Sequence, residues 1–389
     1  MREKMLPLRI ALTTIFTIAS FTLSLSQTVR IADNNFNAPT GPNIFPTLQA
    51  AVNAADPGDI IYVQPSPTRY GSLTSNKRLI IKGIGFNLDK DIPHQSTITN
   101  ITLTNNTDNT SNASGTEIEG LTVSNIFLAS RISSAYALDD IVIKNCRASV
   151  VAGRVDIDNL LIVDTWPNII EFFRRVTNSE IRNNLIASRI TMGSTTASSL
   201  IITNNIIFGT VSKSSVGDNL IIQNNNFIGT RLNTDAFGTM RDAVIANNIF
   251  YGRTPSITAA GNSSSTSFQR NIFTNNLSYE TGNNELPPSG GGVGNSGDGN
   301  IEGNSPLFVN VPLLNTWAED YDFTLQASSP ALNAGSDGSD IGISGGPYAW
   351  TESNFSLNST PLPTIQIFNT TTVIIPGDDL SVRVKAKGN

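Results

Sequence analysis

The segment Leu200-Ile201-Ile202-Thr203-Asn204 recurs twenty residues later as Leu220-Ile221-Ile222-Gln223-Asn224. Each copy is a short aliphatic run that closes in Asn, and a second apolar pair follows it, as in Ile206-Ile207. Similar copies precede and follow these two. Their closing Asn or Asp residues stand at positions 125, 145, 164, 183, 204, 224 and 247, and a looser eighth copy covers 269–273.

Successive copies are 19 to 23 residues apart, and self-similarity at such a period is typical of a solenoid. Leucine-rich repeats share this period, but the chain lacks their leucine pattern and their helical half. Two short β segments per copy, separated by Asn, predict an all-β fold, a right-handed parallel β-helix. We expect one interior column to contain Ile143, Ile162, Ile202, Ile222 and Ile245.

The recurring Asn residues suit the bends between strands, since Asn tolerates the left-handed backbone conformation. Stacked Asn amides can also bond to the equivalent residues above and below. We therefore interpret the column as structural, and expect hydrogen bonds between coils from the amides of Asn183, Asn204, Asn224 and Asn247. Cys146 is interpreted as a small buried filler.

The two ends of the repeat region carry different patterns. Apolar residues at helical spacing in 48–55 predict a short helix that caps the N-terminal end. The period fades near residue 280, and strand patterns at 365–368 and 380–384 predict a small C-terminal β appendage. The predicted domains are a signal peptide at 1–26, the β-helix at 27–346, and a linker with a β tail at 347–389.

The first 26 residues have the pattern of a secretory signal peptide. Arg2, Lys4 and Arg9 precede an uncharged apolar run, and small residues at Ser24 and Ser26 mark the cleavage site. The run is short and interrupted by Thr and Ser, which argues against a membrane anchor. We expect a secreted or cell-surface protein with no transmembrane segment after signal removal.

The composition excludes several classes of function. The net charge is −6, so there is no basic excess to neutralise phosphates, and we expect no nucleic-acid partner. One cysteine, Cys146, excludes an intramolecular disulfide framework, and one histidine, His94, excludes a multi-histidine metal centre. His94 lies in a polar stretch, where we expect no catalytic role.

A resemblance to a known family rests on both ends of the repeat region. Residues 57–63, Pro-Gly-Asp-Ile-Ile-Tyr-Val, and 79–85, Leu-Ile-Ile-Lys-Gly-Ile-Gly, resemble the entry coils of the pectate-lyase-like superfamily. The stretch 304–346, with Ser-Pro-Ala-Leu-Asn-Ala-Gly at 329–335, resembles the exit coil of bacterial members. The resemblance covers residues 45–346 and implies a secreted β-helix. It implies no single activity, because the superfamily mixes lyases, hydrolases, esterases and non-enzymatic surface proteins.

The same resemblance narrows the candidate chemistry. Hydrolases of the superfamily use an Asp trio with a Gly-His-Gly element, which is missing here, so Asp139-Asp140 is interpreted as a turn. Lyases bind an acidic sugar, often through Ca²⁺, and remove a proton with Arg or Lys. The densest charged cluster supplies the catalytic candidates Arg154, Asp156, Asp158, Asp164, Arg174 and Arg182.

Two carboxylates of that cluster are candidate metal ligands. Asp156 and Asp158 face the same way if their segment is a strand, and together they could hold a hard cation such as Ca²⁺. A solvated charged face is the alternative interpretation of the same residues.

Arginine recurs six or seven residues after the closing Asn in four copies. On a stacked solenoid such positions form a column, which would suit bidentate recognition of carboxylate or sulfate groups on a polyanionic glycan. Chance placement for solubility is the alternative. The predicted substrate-binding residues are Arg131, Arg189, Arg231 and Arg253.

These patterns predict an exported, monomeric β-helix protein that contacts extracellular, acidic polysaccharide along its coil face. One alternative is a polysaccharide lyase that abstracts a proton and eliminates across a uronic-acid linkage. The other is a non-catalytic structural or adhesion protein of the cell surface.

Overall fold

The computed structural model describes residues 27–86, 94–105, 112–133, 135–193, 199–213, 219–230, 235–255, 268–288, 294–313, 316–350, 364–370 and 382–387. Over these residues the chain is an all-β parallel β-solenoid of about nine turns with one short helix. The predicted parallel β-helix is therefore confirmed. The predicted signal peptide, 1–26, lies outside the described residues.

The strands, numbered β1 to β34 in chain order, stack into sheets along the solenoid. Sheet 1 has twelve strands: β1 (Val29–Ala32), β2 (Ile44–Phe45), β3 (Ile60–Val63), β5 (Ile80–Lys82), β7 (Glu117–Glu119), β10 (Val142–Lys144), β13 (Leu161–Val163), β16 (Ser179–Arg182), β19 (Leu200–Thr203), β22 (Leu220–Gln223), β25 (Ala243–Ala246) and β28 (Ile272–Thr274). Sheet 2 has seven: β4 (Leu73–Ser75), β6 (Thr97–Leu103), β8 (Thr122–Leu128), β11 (Arg147–Gly153), β14 (Trp166–Phe172), β18 (Arg189–Met192) and β21 (Thr210–Lys213).

The remaining strands form smaller sheets. Sheet 3 contains β9 (Ala137–Asp139), β12 (Asp156–Asp158) and β15 (Val176–Thr177). Sheet 4 contains β17 (Leu185–Ile186), β20 (Ile206–Ile207), β23 (Asn226–Ile228), β26 (Ile249–Tyr251), β29 (Leu277–Tyr279) and β30 (Ile301–Glu302). The two-stranded pairs are β24 (Met240–Arg241) with β27 (Phe268–Gln269), β31 (Phe308–Asn310) with β32 (Asp322–Leu325), and β33 (Thr364–Thr370) with β34 (Val382–Lys387).

The interior of the solenoid is a stack of aliphatic side chains. Ile143 pairs in register with Ile162, and Ile202 pairs with Ile222, which in turn pairs with Ile245. All five side chains are fully buried. Each takes an inward position of its strand, since alternate residues of a strand face opposite sides of its sheet. The predicted interior column is therefore confirmed.

The first predicted copy of the repeat is out of register with the others. Asn125 lies inside β8 of sheet 2, where its side-chain amide donates to Asn100 at 2.7 Å. The sheet 1 strand of this coil is β7, and the corner after it is Gly120, with a φ of 68°. Glycine adopts the left-handed conformation as readily as Asn does, so the corner needs no Asn.

The corners after the sheet 1 strands from β10 to β25 do hold the predicted Asn and Asp residues, in the left-handed conformation. Their φ values lie between 49° and 57° at Asn145, Asp164, Asn183, Asn204, Asn224 and Asn247. The amides of these residues do not bond to each other, so that prediction is wrong. The hydrogen bonds between coils come instead from the next residue in the chain.

The Asn after each corner forms a buried ladder through the later coils. Asn205 Nδ2 donates to Asn225 Oδ1 at 2.9 Å, and Asn225 Nδ2 donates to Asn248 Oδ1 at 3.0 Å. Cys146 and Thr165 occupy the same position in two earlier coils, so Cys146 is the buried filler that the sequence predicts. The Asn ladder, as we name it, consists of Asn184, Asn205, Asn225, Asn248, Asn276 and Asn300.

The single described helix, α1 (Leu48–Ala54), begins after Thr47, whose hydroxyl accepts a hydrogen bond from the backbone N–H of Ala50. It packs against β1, β2, β3 and β4 at the start of the solenoid. Its predicted function as a cap of that end stays a prediction. Within the described residues, no helix is long and apolar enough to span a membrane.

The resemblance implied an exit coil of the solenoid at 304–346. The segment 304–350 does not continue the solenoid in this way. It runs back along the corners of the later coils, where Asn275 Nδ2 donates to the carbonyl of Ala334 and Asn183 Nδ2 donates to that of Tyr348. We name residues 334–350 the strap. Apolar side chains of 304–350 cover the outward residues of sheet 4, so that Ile341 and Ile343 pack in one cluster with Ile206 and Ile249.

Candidate functional site

The predicted arginine stripe does not share one column. Arg189 is the exposed first residue of β18, and its guanidinium is 3.8 Å from the carboxylate of Glu171. The strand register through β14 and β11 places Asn125 of β8 at the position equivalent to Arg189. Arg131 instead lies beyond the end of β8. The offset arises because the count to Arg131 started from the misplaced copy.

Arg253 is a structural residue of the interior. Only 4% of it is exposed, and its guanidinium donates to the backbone carbonyls of Ile228, Asp235 and Phe208. Burial lowers the pKa of Arg253 to about 10, which leaves it charged at neutral pH. Because its donors are directed at carbonyls, it is not placed to bind a glycan. Arg231 lies outside the described residues, so the predicted stripe is wrong at Arg131 and Arg253 and stays a prediction at Arg231.

The predicted lyase cluster is spread over separate faces. The guanidinium of Arg154 lies 4.0 Å from the ring centroid of Phe127 on sheet 2. Arg174 is beside sheet 3, where its Nε is 3.2 Å from Asp156 Oδ1. Asp164 occupies a corner after sheet 1, and Arg182 ends β16 of that sheet. The fold does not bring the six candidate residues together.

Asp156 and Asp158 do face the same side of β12, as predicted, since Ile157 between them is buried. Each carboxylate is already engaged: Asp156 pairs with Arg174, and Asp158 accepts from Asn178 Nδ2 at 2.8 Å. Within the described residues, no group of three His, Cys, Asp or Glu side chains is arranged to hold a metal ion.

A pocket on sheet 3 gathers the acidic side chains. Asp139 pairs in register with Asp158, and Asp156 lies on the same strand as Asp158. Burial, together with the charges of Asp158 and Asp140, raises the pKa of Asp139 above its ordinary value. We name this site, lined by Asp139, Asp156 and Asp158, the acidic pocket. Its negative charge disfavours carboxylated ligands.

A different groove lies on the outer face of sheet 2. Thr97 of β6, Thr122 of β8, Arg147 of β11 and Trp166 of β14 occupy one register column in successive coils. Arg69 starts the same column, because the adjacent Tyr70 bridges Ile98. We name this site, built around Arg69, Arg147 and Trp166, the arginine–tryptophan groove.

The indole of Trp166 holds Arg147 at the far end of the groove. The Arg147 guanidinium carbon lies 4.5 Å from the centroid of the indole, a cation–π contact. An edge-on contact with Phe86, at 6.5 Å between centroids, fixes the indole in turn. These contacts orient the guanidinium without using its N–H donors.

Arg69 projects along the groove from the other end. Its Nη1 donates to the hydroxyl of Ser124 at 2.9 Å, two coils further along. Arg69 and Arg147 are both exposed, and neither forms an ion pair with any described residue. In contrast, the carboxylates of Asp156, Glu180 and Glu171 pair with other arginines. The groove therefore holds two available cations on a negatively charged protein.

Polar side chains line the remainder of the groove. Ser149 and Asn168 are exposed, and Thr122 is half-buried, with its hydroxyl bonded to Gln95 Oε1 at 2.9 Å. Hydroxyl and amide groups of this kind can donate to and accept from sugar hydroxyls.

The sequence contained a signal for this groove that the predicted stripe did not use. Arg147 and Trp166 each stand two residues after a corner, Asn145 and Asp164 respectively. Counting two residues past the corner, rather than six or seven, would have placed them in one column. Arg69 carries no such signal, because its coil precedes the regular repeats.

No protein-family model matches the chain, and no curated protein matches it. The β-solenoid fold therefore rests on the strand pairing, and the pectate-lyase-like relationship stays a resemblance.

Proposed function

We propose that this protein binds acidic polysaccharide outside the cell, through the arginine–tryptophan groove. The observation that carries the proposal is the placement of Arg69 and Arg147 in one exposed column with no carboxylate partner among the described residues. A guanidinium presents a planar set of N–H donors that matches a carboxylate. The predicted signal peptide supports an extracellular location.

The contrast with the acidic pocket supports the placement of the binding site on sheet 2. Carboxylates crowd sheet 3, whereas the groove on sheet 2 contains no Asp or Glu among its lining residues. Exposed charges act over about 8–10 Å at physiological salt, so each arginine attracts a nearby sugar acid despite the net charge of the whole chain.

Trp166 gives the groove an apolar wall as well as a means of orienting Arg147. Aromatic side chains at binding sites supply contact area at little cost in conformational entropy. An acidic sugar in the groove would meet a guanidinium, an indole edge and neutral hydroxyl groups, which is a complementary set for a carboxylated pyranose.

The experiment is equilibrium binding to polygalacturonate and to its fully methyl-esterified form, which has the same backbone without charge. We expect binding to the acid form only, weakened by added salt and by Arg147→Gln. Arg175→Gln, an equal change of charge beside the acidic pocket, is the control and should bind as the unaltered protein does. Equal binding of both polymers, or equal effects of both substitutions, would refute the proposal.

The two alternatives give different results in the same assays. A lyase would release unsaturated sugars that absorb ultraviolet light, whereas a binding protein would release none. A purely structural surface protein would bind neither polymer, with or without salt.

A further inference from the structure

We infer that the corner between sheet 2 and sheet 3 docks the protein on a membrane surface that contains anionic lipid. The inference does not depend on the arginine–tryptophan groove, because it concerns other residues and another partner. The turns that follow β8, β11 and β14 meet at this corner, and they combine basic side chains with exposed apolar ones.

The strand register places these three turns side by side. The backbone N–H of Arg154 donates to the carbonyl of Leu128, and the backbone N–H of Phe173 donates to the carbonyl of Gly153. Ala129, Arg154 and Phe173 therefore occupy equivalent positions in successive coils. We name this surface the basic corner, and its residues are Arg131, Ile132, Arg154, Phe173, Arg174 and Arg175.

The turn after β8 is three residues longer than the turn beside it in the next coil. Ala129 lies beside Arg154, and the backbone N–H of Ser133 already donates to the carbonyl of that same arginine. The residues between Ala129 and Ser133 are therefore additional to the coil. They include Arg131, which is exposed, and Ile132, which is 57% exposed.

Two arginines of the basic corner share one carboxylate. Arg174 Nε lies 3.2 Å from Asp156 Oδ1, and Arg175 Nη2 lies 3.8 Å from Asp156 Oδ2. Asp139 and Asp158, the other carboxylates of the acidic pocket, belong to sheet 3 and lie further along its strands. The two arginines and their shared carboxylate therefore retain a net positive charge.

The other two arginines have no carboxylate partner among the described residues. The guanidinium carbon of Arg154 lies 4.0 Å from the ring centroid of Phe127, and its Nη1 donates to the carbonyl of Ser130 at 2.8 Å. These contacts hold the guanidinium at the corner without neutralising it. With Arg131 on the neighbouring turn, the corner has an excess of positive charge on a chain whose net charge is −6.

Exposed apolar side chains accompany these charges and favour a membrane over a dissolved polyanion. Ile132 is 57% exposed and Phe173 is 38% exposed. Arginines near a membrane are attracted to anionic headgroups, and apolar side chains gain free energy when they enter the boundary between headgroups and acyl chains. A polysaccharide in solution offers the charge but not the apolar layer.

The test measures the partition of the chain without its predicted signal peptide, residues 27–389, onto vesicles of phosphatidylcholine with or without phosphatidylglycerol. We expect binding only where phosphatidylglycerol is present, and weaker binding with added salt. Arg131→Gln with Arg154→Gln should lower the partition coefficient about 25-fold, since each arginine near an anionic surface contributes about fivefold. Arg131→Gln alone, which changes only an exposed turn, should lower it about fivefold.

Control variants match these changes elsewhere on the molecule. Arg69→Gln with Arg147→Gln removes the same charge from the groove and should change the partition coefficient by less than about twofold. Ile132→Ser should lower it about fivefold, because an apolar side chain is lost from the contact. Ile272→Ser, at a position 47% exposed on β28, should leave it unchanged. Equal effects of the two double variants, or no effect of Ile132→Ser, would overturn the inference.

Binding of polygalacturonate tells a failure of this inference from a failure of the proposed function. Arg131→Gln with Arg154→Gln should bind polygalacturonate as the unaltered protein does. If this variant loses as much affinity as Arg69→Gln with Arg147→Gln, the basic corner belongs to a glycan site and the inference is wrong. If the protein binds polygalacturonate but not vesicles with phosphatidylglycerol, the inference fails and the proposed function stands.

Discussion

The side-chain oxygen of Asn225 accepts two hydrogen bonds from Asn205, one from the backbone N–H and one from the side-chain amide, each at 2.9 Å. The Asn225 amide donates in turn to the carbonyl of Ile202 and to Asn248 Oδ1. Each member of the Asn ladder thus satisfies backbone and side-chain groups of its neighbouring coils. Because the ladder is buried, its loss leaves several polar groups without partners.

Replacing Asn225 with Ala should lower the free energy of unfolding by about 3 kcal/mol, since a buried donor or acceptor left unpaired costs about 1–3 kcal/mol. Chemical denaturation of the two proteins measures the difference. The matched control is Asn125→Ala, which removes an Asn–Asn contact from the partly exposed face of β8. It should cost less than about 0.5 kcal/mol, and a similar cost at both positions would contradict the buried ladder.

Neighbouring isoleucines of β19 face opposite sides of sheet 1. Ile202 is fully buried in the interior column, whereas Ile201 lies on the outer face and is half-buried. Ile202→Ala should cost about 2–5 kcal/mol in the free energy of unfolding, because a cavity remains in the core. Ile201→Ala should cost less than about 1 kcal/mol. Thermal melts of the two variants would exclude this register if Ile201→Ala proved the more destabilising.

The repeat could be predicted from sequence wherever one coil has the same corner as the next. From Asn145 to Asn247 each corner comes two residues after a buried isoleucine, so both the period and the interior residues were correct. The first copy failed because Gly120 replaces Asn, and the segment ending at Asn125 has the same alternation in a different sheet. Hydrophobic alternation alone does not distinguish the sheets of one coil.

The strap could not be predicted, because it has no period and binds mainly through backbone carbonyls. Asn204 Nδ2 donates to the carbonyls of Ile343 and Gly345, which are far away in the sequence. Nothing in a single sequence marks a carbonyl as the partner of a given amide. The same reason hid the binding groove, since the column of Arg69 and Arg147 exists only once the coils are in register.

Two substitutions at Asn204 distinguish the contribution of its hydrogen bonds with the strap from the contribution of its left-handed backbone conformation. Asn204→Gly keeps the left-handed corner but removes the two hydrogen bonds to the strap, which should cost about 1–3 kcal/mol in the free energy of unfolding. Asn204→Ala should cost about 1–2 kcal/mol more, because Ala is strained at a φ of 53°. Urea denaturation gives both values, and a glycine variant as stable as the unaltered protein would show that the strap contacts contribute nothing.

Cys146 should make stability fall with rising pH in the alkaline range. Burial raises the pKa of its thiol to about 12 from an ordinary value of 9.0. The unfolded thiol therefore loses its proton first, and the free energy of unfolding should fall by about 1.4 kcal/mol per pH unit between pH 9.0 and about 12. Comparing the unaltered protein with Cys146→Ala from about pH 8 to about pH 11 isolates this contribution, because other alkaline titrations are common to both. If the free energy of unfolding varied with pH in the same way for both proteins, the thiol would be accessible to water.

The central claim is that two arginines of one groove, neither with a carboxylate partner among the described residues, bind acidic polysaccharide. Its most direct test is the dissociation constant for polygalacturonate of two double variants. Arg69→Gln with Arg147→Gln removes both groove cations, whereas Arg175→Gln with Arg270→Gln removes the same charge from arginines paired with Asp156 and Asp242, neither of which lines the groove. We expect the dissociation constant to rise about tenfold or more for the groove variant and to stay within about twofold for the other. Equal dissociation constants for the two double variants would contradict the account.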